Sequence, residues 1–199
     1  MRTLVYVVAT TLDGFIADPA RNDPSGSIFE LEGDHAEPLM REYPEMVPHH
    51  LRPMLGLVDE PNRHFDTVLE GRVSYAGGVE DGVTNAYPHM RHYVFSRSPI
   101  PLPDPDIELV TGDPAAKVRA LKQEDGKDIW LCGGGSLANA LRDEIDEVHL
   151  KLNPVLTGTG TPLVDGEFRI DKYSLISTRP FGSGVVLLKY ARRDRAATS

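Results

Sequence analysis

Between residue 4 and about residue 145, short β-rich apolar runs alternate with helix-patterned stretches; beyond that point the chain reads as strands alone. This order constrains the fold more than any other feature. Parallel neighbours need a crossover, and a helix supplies it, so the pattern predicts a mainly parallel sheet covered by helices. The closing strands predict an antiparallel edge. Leu4–Ala9 is continuous and apolar, as in a strand buried on both faces. Further strands are read at 66–72, 92–98, 107–111, 127–133 and from Glu147. "DPAAKVRALKQE" has an Asp N-cap and Pro at the first helical position. Residues 18–27 are turn-rich, and Pro38, Pro44, Pro48 and Pro53 break residues 34–57 into short helices. "YSLISTRPFGSGVVLLKYARR" reads as a hairpin turning near Gly182–Gly184. The 199 residues suit one α/β domain over 1–192, with a tail, 193–199, expected to fray.

The most chemical segment is "IWLCGGGSLANAL", residues 129–141. A strand ends in Gly133, Gly134 and Gly135, and a helix follows from Ser136 and Leu137. In open α/β sheets ligands sit at the carboxyl ends of strands, and a helix N-terminus offers unpaired N–H groups. Glycines there admit a phosphate close to the backbone. The other reading is a tight strand-to-helix turn. Two further strand ends carry Gly71, Arg72 and Ser74, and Ser96, Arg97 and Ser98. Guanidinium forks and hydroxyls match phosphate oxygens. Either arginine alone also fits a surface ion pair; their shared placement with the glycines favours a diphosphate cradle. The pattern is neither the GxGxxG fingerprint nor a Walker loop.

Charge narrows the partners. The formal net charge is −9, which argues against a broad nucleic-acid surface or an anionic-membrane binder. Asp13 and Asp18 interrupt the N-terminal apolar run, so it is read as a strand of a cytoplasmic protein rather than a span. Cys132 is the single cysteine, which excludes an internal disulfide and fits a reducing compartment. The seven histidines show no metal-ligand spacing, so no metal site is expected.

"VATTLDGFIA", "VLEGRVSY", "YVFSRS", "IWLCGGGSLANAL" and "DEVHLKLNPVLTGTGTPLV" stand in the order of the dihydrofolate-reductase-like family. The chain most resembles the reductase domain of bifunctional riboflavin deaminase-reductases and their stand-alone relatives. The resemblance implies a single dihydrofolate-reductase-like domain and an NADPH-dependent reduction of a small heterocycle, of the 5-amino-6-(5-phosphoribosylamino)uracil reductase type. It places Ala9, Thr10 and Thr11 beside the nicotinamide. It places Gly71, Arg72, Ser74, Ser96, Arg97 and Ser98 at the 2′-phosphate and diphosphate. Gly133–Leu137 then meet the diphosphate and ribose, and a homodimer is implied. No zinc-deaminase signature is present.

For the proton, Asp13 is the candidate, on the expectation of a buried carboxyl with a raised pKa; an Asp-Gly turn is the competing role. Glu70 beside Gly71 fits an anion site only if it points away. A non-catalytic NADP-binding module and a hydrolase of a phosphorylated nucleoside remain as alternative functions.

Overall fold

The strands form where β-branched and apolar residues run together, and they assemble in an order far from that of the chain. A computed structural model describes residues 1–80 and 82–193. Its strands are β1 (Leu4–Thr10), β2 (Phe15–Ala17), β3 (Phe65–Gly71), β4 (Arg91–Phe95) and β5 (Ile107–Val110). Beyond these lie β6 (Asp128–Gly133), β7 (Glu147–Leu152), β8 (Thr161–Pro162), β9 (Tyr173–Pro180) and β10 (Val186–Arg192). The helices are α1 (Ala36–Glu42), α2 (Arg72–Glu80), α3 (Pro114–Lys122) and α4 (Gly135–Ala140). Eight strands make one sheet in the order β5-β4-β3-β6-β1-β7-β10-β9. In the order β5-β4-β3-β6-β1-β7 the strands are mutually parallel; β10 runs antiparallel to β7, and β9 runs antiparallel to β10. This is the predicted α/β architecture with antiparallel C-terminal strands.

The central strands are apolar on both faces because both are covered. On one face Leu4, Tyr6, Leu69, Ile129 and Leu131 pack with Val118 and Leu121 of α3 and Leu137 and Ala138 of α4. On the other, Val5, Val7, Val68 and Trp130 pack with Tyr43 and Tyr87, and Cys132 lies against that group. The Trp130 indole N–H donates to the Val7 carbonyl, which meets its need for a buried partner.

Local differences from the sequence reading have local causes. Residues 72–80 form α2, which the sequence reading did not identify; its Gly77-Gly78 pair weakens the helical pattern. α4 begins at Gly135, inside the glycine run, and ends at Ala140. The proline-rich segment gives α1 and two single-turn 3-10 helices, as the prolines require. The expected tail lies outside the described residues except for Arg193.

Candidate functional site

Three chain segments leave the sheet at its carboxyl edge side by side. Gly71 ends β3 opposite Phe95 of β4, so Ser96–Ser98 emerge next to it. A Cβ built on Gly71 would stand 3.5 Å from the Gly133 carbonyl oxygen and 3.6 Å from the Gly134 nitrogen. One on Gly134 would stand 3.9 Å from Ser74 Oγ. Residues 71–74 and 133–137 are therefore packed together, with 96–98 at the same sheet edge. Gly133 takes φ +133°, a conformation that favours glycine, and the Gly133–Gly134 peptide is cis.

Arg72 and Arg97 are both exposed, and neither has an ion-pair partner among the described residues. Two free guanidinium groups beside a glycine-lined backbone suit an anionic ligand. The acid that fitted poorly in the sequence points elsewhere. Glu70 lies on the opposite side of β3 from Leu69, where its Oε2 is 2.7 Å from His92 Nε2. Asn85 Oδ1 accepts from the Tyr87 amide and lies 3.2 Å from His92 Nδ1. Burial, together with the charge of Glu70, pushes the Cys132 thiol pKa well up, so this cysteine is a poor nucleophile.

Other hydroxyls are already engaged. Ser136 donates to Asp165 at 2.9 Å, and Ser96 donates to the Ser98 carbonyl at 2.7 Å. The loop after β7 closes over α4: a Cβ on Gly135 would meet the Pro162 oxygen at 2.3 Å, so only glycine fits. The "NPVLTGTGTPL" segment thus forms a rim over the glycines.

At the end of β1, Thr10 and Thr11 use their side chains within the turn: Thr11 Oγ1 donates to Asp13 at 2.6 Å and accepts from the Phe15 amide. Asp13 differs from its expectation. It is exposed, and the Thr11 hydroxyl and the Gly158 and Thr157 amides hold its pKa below the usual carboxylate range. A carboxylate so stabilised makes a weak acid catalyst, and the turn role fits it. Asp34 accepts from the Gly182 and Ser183 amides and anchors the β9–β10 turn.

Two residues here escaped the sequence reading. Asn153 is 1% exposed; its Nδ2 donates to the Thr10 and Lys151 carbonyls, and its Oδ1 has no partner. Lys151, paired across β1 to Ala9, donates to the Glu30 carbonyl. The available signal was the alternation of polar and apolar residues through β7, which Glu147, His149 and Lys151 carry and Asn153 continues just past its end. Among the described residues no cluster suits a metal ion, and no helix is long and apolar enough to cross a membrane.

A mainly parallel sheet with this order, and a glycine-packed edge, define a dihydrofolate-reductase-like fold. Dihydrofolate reductase from Enterococcus faecalis, solved with NADP(H) and RAB-propyl, is similar over 96% of this chain and 97% of its own, with TM-score 0.66 and 13% identity. The chain belongs to the RibD C-terminal domain family, whose match covers residues 2–187. The uncharacterized protein YyaP of Bacillus subtilis (strain 168) is 32% identical over 203 residues, covering 95% of this chain and 94% of YyaP. The deaminase/5-amino-6-(5-phosphoribosylamino)uracil reductase of Thermotoga maritima matches 96% of this chain but 57% of its own, with TM-score 0.61 and 17% identity.

Proposed function

We propose that the protein is an NADPH-dependent reductase of a small heterocycle, of the 5-amino-6-(5-phosphoribosylamino)uracil reductase type. One observation carries the reading: Arg72 and Arg97, without an ion-pair partner among the described residues, border the strand edge at which Gly71, Gly133 and Gly134 come together without side chains. The buried, unpartnered Asn153 Oδ1 adds an acceptor at the other end, by Thr10, and the residues present fit the group. The cofactor supplies hydride chemistry; the chain binds, orients and shields. Gly133–Leu137 hold the diphosphate and ribose, Arg97 and its serines the 2′-phosphate, and the Ala9–Thr11 backbone lines the ring.

Fluorescence titration with NADPH tests this directly. Saturable binding is expected, and Arg97→Ala should weaken NADPH more than NADH. Equal effects remove Arg97 from the 2′-phosphate, and no binding ends the reading. Binding without turnover over a panel of pyrimidines and pteridines would point to a non-catalytic module, and NADPH-independent product formation to a hydrolase.

A homodimer in the cytoplasm belongs to the same reading. Its support is the outer strand β9, where Leu175 and Ile176 are each 53% exposed. Light scattering that returns the mass of one chain removes the dimer.

A further inference from the structure

Four neighbouring strands present one residue each on one sheet face at the carboxyl edge. In the order β3, β6, β1, β7 these are Glu70, Cys132, Ala9 and Lys151. The face is set by alternation: Val7 and Cys132 belong to the Tyr43 cluster, and His149, opposite Val7, meets the Tyr43 hydroxyl at 3.1 Å. Lys151, two residues on and opposite Ala9, lies on the same side. The row therefore has a carboxylate pole and an ammonium pole, separated by small uncharged side chains.

The two poles are not alike. Glu70 is matched by His92. Lys117, Lys122 and Lys189 each face a carboxylate as well. Lys151 does not: among the described residues no carboxylate lies within ion-pair distance, and Nζ has the Glu30 carbonyl at 3.0 Å as its hydrogen-bond acceptor. An ammonium partly withdrawn from water without a contacting counter-charge is costly to the fold. Desolvation lowers the Lys151 pKa, and the more distant charge of Glu30 offsets this only in part. On the next inward-facing position Asn153 leaves a buried acceptor open.

We infer that Lys151 is the cation of the reacting chamber, facing the ring end of the bound dinucleotide and an anionic or acceptor group of the heterocycle. This rests on the NADPH reading above. The charge has a defined consequence. An oxidised nicotinamide ring is cationic and a reduced one is neutral, so Lys151 disfavours NADP+ relative to NADPH, while contacts to the phosphates are common to both.

The experiment measures dissociation constants for NADP+ and NADPH with wild type, Lys151→Met and Lys151→Arg. Lys151→Met should strengthen NADP+ relative to NADPH by about tenfold, as expected for removing a like charge at moderate effective dielectric. Lys151→Arg should keep the wild-type ratio. If Lys151 only pins the Glu30 backbone, Lys151→Met lowers the melting temperature and leaves the ratio unchanged, which overturns the inference while the cofactor reading stands. If neither form binds wild type, the cofactor reading falls and the inference with it.

Discussion

Glu70 Oε2 lies 2.7 Å from His92 Nε2, with the two side chains 8% and 1% exposed. A carboxylate at the end of β3 is thereby held on the face away from α4. The glycine-lined edge keeps its open character because this acid is committed elsewhere. Removing one partner leaves the other buried and unmatched. Glu70→Leu should destabilise the fold by about 3 kcal/mol. The double variant Glu70→Leu/His92→Leu should lose less than the single one. Urea denaturation with a two-state fit checks both, and equal losses would show that the pair is not coupled.

Gly71 and Gly135 should separate binding from folding. A Cβ at Gly71 meets its neighbours at ordinary contact distance, so Gly71→Ala should change stability by less than about 1 kcal/mol. The methyl would nonetheless occupy the approach to the cradle and weaken NADPH by about tenfold. An unchanged NADPH affinity removes Gly71 from the site.

Gly135→Ala should behave in the opposite way, because its Cβ would stand 2.3 Å from the Pro162 oxygen. Displacing that loop should cost about 1–3 kcal/mol. Thermal denaturation reads it, and a melting temperature equal to wild type would contradict the close packing of the rim.

Asp13 ties the β1–β2 turn to the Thr157 and Gly158 amides. Its folded pKa lies below its unfolded one, so its contribution is complete above the unfolded value. It is lost as pH falls through the depressed folded value. Asp13→Asn should therefore melt below wild type at neutral pH, and the gap should close on acidification. A gap independent of pH would remove the carboxylate's charge from the effect.

The alternation of strands and helices was legible because it depends on local periodicity. So were the glycine turn and the Arg72 and Arg97 clusters, since strand ends are marked by residues that cannot continue a strand. The lowered pKa of Asp13 was not legible for a physical reason: its Asp-Gly turn and the Thr11 hydroxyl are local, but the amides that add to the lowering belong to residues 157 and 158, far along the chain. α2 was hidden because paired glycines carry no helical signal. By itself the sequence determined most of the elements and the mainly parallel sense of the sheet. Tertiary structure decided which edges meet, that Glu70 turns to His92, and that Lys151 stands opposite Ala9 with no carboxylate in contact among the described residues. Those outcomes depend on strand order and register, which bring together residues 22 positions apart at Glu70 and His92 and more than a hundred apart at Ala9 and Lys151.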